Sequence, residues 1–523
     1  MVESHKAETS EAERTHDVAV IGGGPTGMML AAELRLRGVD VVVLEREAEP
    51  SRLVRSLGLH ARSIEILDQR GILERFLAEG TVHPGVGRFA GISSSASPEL
   101  DTAHGFILGI PQPVTDRLLE ERARELGADV RRGREVVALA QDADAVVLDL
   151  ADGERVRARW AVACDGGRSR MRALLGIGFP GEAAQSEWLL GEMEVTASAE
   201  EIAAASERVR REHRGFGIGQ SSNPGLFRAV VPAASVAEDR SEPPSFEEFR
   251  ARLRAFAGTD FGAHSPVSLT RFTDATRLAE LYRSGQVLLA GDAAHVHPPL
   301  GGQGLNLGIQ DAFDLGWKLA AVVRGEAPEA LLDTFEAERR PVASDVLTMT
   351  RAQSVLISGD PGAQALRRVL GELIALPEAD RLLSEKIASL SIRYDLGTPG
   401  GAEDDLVGRR LRDMSLGAGR LYERMHDGRW LLVDPDGAFS PAAWADAVEH
   451  IVEPCAELPA RAVLLRPDGH AAWAAEDLGS GRGASSAVES SAVEWSAVES
   501  SAGEDASREQ AGLEAVLQHW LPR

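Results

Sequence analysis

The sequence predicts a chain of mixed α/β and α+β class, in which a discontinuous Rossmann-like unit is interrupted and followed by other sheet-containing units. Three observations lead to this fold class. At 523 residues, 44% of them apolar, the chain is too long for one hydrophobic core. A strand, a glycine-rich loop, a helix and a second strand open it. Two further short apolar strands end close to an aspartate, at Asp165 and at Asp292, far apart along the chain.

The opening unit, HDVAVIGGGPTGMMLAAELRLRGVDVVVLERE, has the order and spacing of a dinucleotide-binding unit. Gly22, Gly24 and Gly27 fill the pattern G-x-G-x-x-G after an apolar strand. The first glycine permits a tight turn, the second lets a pyrophosphate approach the backbone, and the third lets the helix pack on the sheet. Pro25 and Thr26 begin the helix, whose unpaired N–H groups and partial positive charge favour phosphate.

Glu45 ends the second strand of this unit, about twenty residues beyond the glycine loop. A carboxylate at this position accepts hydrogen bonds from the ribose of an adenosine, and Arg46, which follows it, belongs to the same predicted site. A chance glycine turn would not place the strand, the helix and the acid in this register. The unit therefore predicts a dinucleotide site, without separating FAD from NAD(P).

A second site segment, GDAAHVHPPLGGQGLNLGIQDA, follows the apolar strand that ends at position 290. It resembles the second FAD-contacting motif of the flavoprotein hydroxylases. The resemblance implies that the cofactor is FAD and that Asp292 binds its ribityl and pyrophosphate part.

The remainder of that segment is implied to hold the flavin ring. Pro299 fixes the backbone that passes the ring, and Gly302 and Gly304 let main-chain amides reach its pyrimidine edge. The helix beginning near Leu305 and Asn306 points its positive end at that edge, where negative charge develops in reduced flavin.

His295 and His297 offer a metal pair as an alternative. No third ligand lies nearby in the sequence, and alternate residues of an extended segment face opposite ways. We therefore predict no metal site.

The third motif, WAVACDGGRSRMRALLG, is a short strand followed by the turn at Asp165 and by an arginine-rich helix. It resembles the Asp-Gly motif of the same hydroxylases, which contacts FAD and helps to admit the nicotinamide cofactor. An Asp-Gly turn alone marks an ordinary turn, so its position between the other two motifs carries the argument. Arg168, Arg170 and Arg172 are read either as part of this site or as a solvated face.

Two smaller matches extend the resemblance. Gln112 begins a predicted helix, and in the family a glutamine here reaches the ribityl chain. Arg55, in RSLGLHAR, matches a family arginine near the FAD phosphates; a surface salt bridge is the alternative.

From residue 17 to about residue 353 the chain resembles the single-component, FAD-dependent aromatic hydroxylases, and most closely the aromatic polyketide hydroxylases of angucycline and anthracycline type. LGLHARSIEILDQRGILERF, GGQGLNLGIQDAFDLGWKLAAVV and RPDGHAAWAA carry the closer likeness. The resemblance implies non-covalent FAD, transient NADPH or NADH, and O2, which together give a flavin hydroperoxide that oxygenates a polycyclic aromatic substrate.

We predict that residues 1–177 and 282–395 form the FAD-binding domain and that residues 178–281 form a β-sheet domain over the flavin. Trp188, Phe216 and Phe227 are read as sheet core, or else as the lining of a substrate chamber.

Residues 396–523 resemble the thioredoxin-like C-terminal domain of these hydroxylases. RWLLVD is predicted as a strand, PAAWADAVEHIV as a helix and ARAVLLRPDGHAAWAA as a hairpin. The five-residue repeats around SAVES predict a disordered insert over residues 480–508.

The composition of the chain limits the classes of molecule that it is expected to bind. The formal net charge of −25 argues against nucleic acid and anionic membrane. Cys164 and Cys455 are the only cysteines and lie far apart in the sequence, so no disulfide framework is expected. Because Cys455 has no C-x-x-C partner, a structural or dimer-supporting role fits the C-terminal unit better than disulfide exchange. The polar N-terminus lacks the apolar run of a secretion signal, which predicts a cytoplasmic protein.

Three functions stay open at this point. The first is hydroxylation of an aromatic polyketide. The second is Baeyer–Villiger or rearrangement chemistry on a related polycycle. The third is a flavin reductase, a dehydrogenase or an FAD-binding partner without oxygenation. No side-chain acid or base stands out as a motif, so the catalytic residues are unknown from sequence.

Overall fold

The computed structural model describes residues 15–92, 98–212, 216–221, 225–239, 242–397, 405–475 and 495–522. Within these ranges the strands are β1 (Thr15–Ile21), β2 (Val41–Glu45), β3 (Gly58–Leu59), β4 (Thr81–Pro84), β5 (Phe106–Gly109), β6 (Asp129–Arg132), β7 (Val136–Gln141), β8 (Val146–Leu150), β9 (Arg155–Ala163), β10 (Gly181–Glu182), β11 (Glu187–Glu194), β12 (Gly217–Gln220), β13 (Phe227–Pro232), β14 (His264–Thr273), β15 (Thr276–Leu278), β16 (Arg283–Ser284), β17 (Val287–Leu289), β18 (His295–Val296), β19 (Trp430–Val433), β20 (Val448–Ile451), β21 (Ala462–Leu465) and β22 (Ala471–Ala475). The helices are α1 (Pro25–Leu36), α2 (Ala61–Asp68), α3 (Leu73–Leu77), α4 (Gln112–Glu125), α5 (Arg170–Leu174), α6 (Ala199–Glu212), α7 (Phe246–Ala257), α8 (Gln303–Val323), α9 (Asp333–Ile357), α10 (Pro361–Ile374), α11 (Pro377–Ala388), α12 (Leu421–Arg424) and α13 (Trp495–Trp520).

The largest sheet is the predicted Rossmann-like unit. Strands β17, β9, β1, β2 and β6 lie side by side in that order and are all parallel. The apolar run of β1 is buried almost without alternation, as expected for a central strand with both faces covered. Gly22, Glu45, Asp165 and Asp292 come at or just after the carboxyl ends of four of these strands. They therefore meet at one edge of the sheet, where open α/β sheets bind ligands.

A second, antiparallel sheet has the order β12-β13-β11-β14. Helices α6 and α7 pack against it, with Leu189, Ala229 and Phe249 buried between them. Because side chains alternate along a strand, the opposite face carries Leu190 and Val230, which line a cavity shared with the main sheet.

The C-terminal unit is a sheet of order β20-β19-β21-β22 with α13 beside it. The predicted strand at RWLLVD and the hairpin around the P-D-G turn are both present. The predicted helix at PAAWADAVEHIV is wrong. That segment forms one 3-10 turn, Ala442–Trp444, and then β20, which pairs in parallel with β19. Burial of Val448 and Ile451 against the sheet outweighs the helical propensity of the alanines.

The predicted disordered insert also needs correction in part. Residues 495–508 belong to α13, and residues 480–494 lie outside the described residues. Leu513, Val516, Leu517 and Trp520 recur at helical spacing and are buried in the C-terminal core. This apolar stripe anchors a helix that the repeat composition alone did not predict.

Buried charges join the C-terminal unit to α8 and α9. Arg466, from the β21–β22 turn, donates hydrogen bonds to Glu338 at 2.7 and 2.9 Å and to Asp314 at 3.2 Å. Lys318 Nζ lies 2.9 Å from carboxylate oxygens of both acids. The carboxylates of Asp314, Glu338 and Asp468 are close enough together for a metal ion, but these two protein cations lie among them. Burial alone would raise the pKa of Glu338, yet Arg466 and Lys318 outweigh it and lower that pKa to about 2.

Of the helices in the described ranges, none combines the length and the apolar character needed to cross a membrane.

Candidate active site

One cavity of about 1710 Å³ runs along the carboxyl edge of the main sheet and continues beneath the antiparallel sheet. It collects every sequence-predicted site residue except Gly27 and Asn306. The predicted residues that line it are Gly22, Gly24, Pro25, Thr26, Glu45, Arg46, Arg55, Gln112, Asp165, Asp292, Pro299, Gly302, Gly304 and Leu305.

The structure agrees with the turn expected at Gly22 and the helix packing expected at Gly27, and it leaves open space at Gly24. Gly22 has φ +111°, and a Cβ there would lie 2.3 Å from the Cys164 carbonyl oxygen. A Cβ on Gly24 would meet no described atom within 4 Å, so the backbone there is open to the cavity. Gly27 does not line the cavity because it packs α1 on β1, where a Cβ would lie 2.1 Å from the Gly22 carbonyl oxygen.

The carboxylate of Glu45 ties the loop to the end of β2. Its Oε2 accepts a hydrogen bond from the N–H of Gly23 at 2.6 Å, and its Oε1 accepts one from the N–H of Glu47 at 2.8 Å. Each oxygen keeps a second lone pair, which remains open to a ribose hydroxyl. Arg46 extends into solvent beside Glu47, 3.1 Å away.

Asp292 lies in a 3-10 turn, Gly291–Ala293, directly after β17, and its side chain is exposed to the cavity. The turn is held from behind by Asp311 of α8. Asp311 Oδ2 accepts hydrogen bonds from the N–H of Gly291 at 3.0 Å and from His295 Nε2 at 2.7 Å. Its Oδ1 accepts one from Arg339 Nε at 2.8 Å. Burial alone would raise the pKa of Asp311, but Arg339 and His295 together hold it below its usual value.

Sequence reasoning missed Asp311 and Arg339. Charged residues within the largely apolar segment GIQDAFDLGWKLAAVV were the available indication, since a buried charge requires a partner. The partner comes from α9 and could not be named without the fold.

The turn at Asp165 is joined to the turn at Asp292 by Arg172. Arg172 Nη1 donates to the Ala293 carbonyl at 2.7 Å and Nη2 donates to the Gly167 carbonyl at 3.1 Å. Its guanidinium lies 3.7 Å from the ring centroid of Phe179. Arg172 is therefore buried and is not part of a solvated face, whereas Arg170 is half exposed and pairs with Glu135.

Helix α8 begins at the cavity, after Gly302 with φ +66°, and no side chain caps its N-terminus. The first N–H groups of the helix thus lack intrahelical partners. Asn306 departs from the prediction, because its side chain is buried behind this edge. It accepts from the N–H of His60 at 2.9 Å and donates to the Gly302 carbonyl at 2.9 Å, which fixes the helix start.

Gln112 and Asp116 lie one turn apart at the start of α4, with Gln112 Nε2 donating to Asp116 Oδ2 at 3.4 Å. Asp116 Oδ1 is buried and has no partner among the described residues. Burial raises the pKa of Asp116 to about 7, against the opposing effects of Gln112, Arg55 and Arg132. Arg55 lines the same cavity and forms no salt bridge within 4.0 Å of a described residue.

Comparison with known proteins identifies the family. Residues 15–350 match the family described as "FAD binding domain", and residues 404–498 match "Aromatic-ring hydroxylase, C-terminal". The rifampicin monooxygenase of Streptomyces venezuelae is 58% identical over 461 residues, which are 88% of this chain and 96% of that protein. The chain belongs to the FAD-dependent aromatic hydroxylases.

Solved structures agree with this membership. The OxyS anhydrotetracycline hydroxylase from Streptomyces rimosus has a TM-score of 0.83 at 39% identity and covers 98% of this chain and 100% of its own. The Diels-Alderase PyrE3 of pyrroindomycin biosynthesis has a TM-score of 0.76 at 36% identity, over 89% of this chain and 97% of its own. This hydroxylase is an FAD-dependent monooxygenase, as the sequence predicted.

The residues of this hydroxylase fit FAD. Gly24 leaves the backbone open at the start of α1, and neither α1 nor α8 has a side-chain cap that would compete with a ligand for its N–H groups. Asp165 Oδ2 accepts from the N–H of Met171, while its Oδ1 is buried without a described partner. Such an orphaned acceptor is expected where a ligand donates.

The cavity continues to the antiparallel sheet of the hydroxylase, where Leu190, Arg228, Val230, Thr270 and Phe272 line it. Arg228 Nη2 donates to the Val54 carbonyl at 2.8 Å, and its Nε is buried without a described partner. Burial lowers the pKa of Arg228, against the opposing charge of Glu192.

The aromatic residues offered from sequence as chamber lining lie elsewhere. Phe216 is buried in the sheet core and Phe227 packs against that core. Trp188 stacks on Phe272 with ring centroids 5.7 Å apart. The core interpretation is therefore the correct one for the two phenylalanines.

Proposed function

We propose that this enzyme uses O2 and NADPH to hydroxylate the aromatic core of a polycyclic polyketide, with rifampicin as the first candidate substrate. We choose this substrate class because the chain is 58% identical to a rifampicin monooxygenase across nearly the whole of that protein. A cavity that reaches from the FAD motifs to a mixed apolar and cationic sheet face supports it.

We infer how the chain holds FAD from the groups that face the cavity. The N-terminus of α1, beside Gly24, would hold the pyrophosphate, and Glu45 would accept from the adenosine ribose. Asp292 would accept from the ribityl chain, and the amides from Gly302 to Leu305, at the start of α8, would bind the pyrimidine edge. The remaining predicted contacts are Pro25, Thr26, Arg46, Arg55, Gln112, Asp165, Pro299 and Gly304.

FAD, when bound, accepts a hydride from the nicotinamide and supplies activated oxygen to an electron-rich ring. The chain's part is to position that ring and to exclude water. Leu190, Val230 and Phe272 offer an apolar wall for a polycycle, and Arg228 offers an unused N–H donor to a phenolic or carbonyl oxygen. Charge-assisted hydrogen bonds of this kind fix orientation.

We also propose the domain division that this arrangement suggests. Residues 1–177 and 282–395 bind FAD, residues 178–281 bind the substrate, and residues 396–523 form the thioredoxin-like domain that packs behind α8.

The test is turnover of rifampicin and of anhydrotetracycline under 18O2 with NADPH. We expect substrate-dependent NADPH oxidation and a rifampicin-derived product that carries one 18O atom, detected by mass spectrometry. The structure of the product separates ring hydroxylation from Baeyer–Villiger insertion. Product formation without NADPH oxidation or 18O uptake would contradict the proposal and would indicate chemistry without oxygenation, such as that of a Diels-Alderase, as PyrE3 is named.

A further inference from the structure

His297 has an unused nitrogen in the wall of the cofactor cavity. The residue follows β18, lines the cavity, and buries its Nε2 without a partner among the described residues. Its Nδ1 lies 2.8 Å from the Pro298 carbonyl oxygen. A carbonyl oxygen only accepts, so Nδ1 must carry the hydrogen.

The protonation state of His297 follows from its surroundings. Burial lowers the pKa of His297, and the nearby His295 lowers it further. The Pro298 carbonyl and the charge of Asp292 act in the opposite direction but do not outweigh burial. The ring is therefore neutral near pH 7. In a neutral ring with hydrogen on Nδ1, Nε2 presents a lone pair.

Asp292 brings a second acceptor to the same place. A Cβ built on Gly304 would lie 3.7 Å from Asp292 Oδ1 and 3.8 Å from His297 Nε2. Both acceptors thus flank one point at the start of α8, and no described residue donates to either. A ligand with two neighbouring hydroxyl donors can satisfy both acceptors.

We propose that His297 is a cofactor-binding residue whose Nε2 accepts a hydrogen bond from a ribityl hydroxyl of FAD, adjacent to the hydroxyl bound by Asp292. The proposal rests on the placement of FAD given above. The ribityl chain carries neighbouring hydroxyls, each able to donate, whereas the pyrimidine edge of the ring offers mainly acceptors and suits the amides of α8. Two neighbouring acceptors, an imidazole lone pair and a carboxylate, therefore complement the hydroxyl donors of the ribityl chain and not the acceptors of the flavin ring.

The experiment is titration of apoprotein with FAD, followed by flavin fluorescence. His297→Phe, which has no acceptor, is expected to weaken FAD binding about tenfold. His297→Gln, whose amide oxygen reaches the same region, is expected to stay within about threefold of the parent. His83→Gln, on exposed β4, is the control, and far-UV circular dichroism checks folding of each variant.

Analogues of FAD that lack one ribityl hydroxyl separate a direct contact from a structural effect. For one of the 2′-, 3′- or 4′-deoxy analogues, the parent and His297→Phe should bind with equal affinity, because the hydroxyl that His297 contacts is gone. The proposal would be overturned if His297→Phe lost the same factor of affinity, relative to the parent, for FAD and for all three analogues. Unchanged FAD affinity in His297→Phe would also overturn it. If His297→Phe does not fold, the same comparison is made with His297→Leu. Unchanged binding in Asp292→Ala would instead show that the placement of FAD is wrong.

Discussion

Arg172 donates a hydrogen bond to the carbonyl oxygen of Ala293, which is 2.7 Å away and 121 residues further along the sequence, and so connects two distant turns. One turn carries Asp165 and the other carries Asp292. The relative position of these two carboxylates therefore depends on a guanidinium that contacts both backbones.

Replacing Arg172 with Met should weaken FAD binding about tenfold and reduce stability by about 1–3 kcal/mol, because two carbonyl oxygens lose a charged donor. Arg172→Lys should fall between the parent and Arg172→Met, since an ammonium lacks the planar fork of a guanidinium. Fluorescence titration and urea unfolding measure the two effects. The control is Arg155→Met, an exposed arginine paired with Asp149. Parent-like FAD affinity in Arg172→Met would show that the two turns hold their positions without it.

Substitutions at Asp292 and Asp311 should affect different properties, FAD affinity in the first case and stability in the second. The Asp292 side chain is exposed to the cavity and forms no hydrogen bond or salt bridge with another described residue, so Asp292→Ala should keep the parent's melting temperature. It should lose about 1.5–3 kcal/mol of FAD binding, about tenfold to more than a hundredfold in Kd. Asp311→Ala removes a buried partner of Arg339 and should cost about 3–5 kcal/mol of stability. The opposite pattern, with Asp292→Ala destabilised and still binding FAD normally, would contradict the assigned roles.

Arg228 should act on the substrate and not on the cofactor. Arg228→Met is expected to raise KM for rifampicin about tenfold, because the cavity loses its unused N–H donor. NADPH oxidation without substrate should stay as in the parent. Arg252→Met is the matched control, since Arg252 donates to the Pro232 carbonyl from α7, on the covered side of the same sheet. A parent-like KM in Arg228→Met would remove Arg228 from the substrate site.

Asp116 should make FAD binding depend on pH. Its pKa of about 7 means that it is largely protonated below pH 7 and ionised above it. Ionisation adds negative charge to the wall of a cavity proposed to hold a pyrophosphate. FAD affinity of the apoprotein should therefore fall as pH rises from 6 to 8, and Asp116→Asn should flatten the profile. The titration is repeated at each pH, and the same slope in both proteins would assign the dependence to another group.

The sequence revealed those parts of the site that depend on local backbone geometry. The glycines at 22, 24 and 27 occupy fixed offsets after a strand, and Asp292 is followed by prolines and glycines that only a special turn requires. Such constraints leave a pattern that can be read without the fold.

Contacts between distant segments left no such pattern. From sequence, Arg172 resembles the surface arginines near it, and Asp311 is one of two acids in α8, with its arginine partner on another helix. Strand β20 shows the same limit for secondary structure, because its pairing with β19 decides between conformations that its own residues permit.

The position of Arg466 has a consequence for how this architecture can change over evolution. Its charge offsets Glu338, near the start of α9, and Asp314, about three turns into the helix whose first turn lines the cofactor cavity. A chain that lost its C-terminal unit would leave Asp314 and Glu338 with Lys318 as their remaining buried counterion from α8. An unpaired buried charge destabilises the folded state, so the C-terminal unit cannot be replaced independently of the FAD-binding part of the chain. A replacement would have to bring its own cation to the same point, and recombination between relatives is expected to succeed only where that cation is inherited together with the two acids.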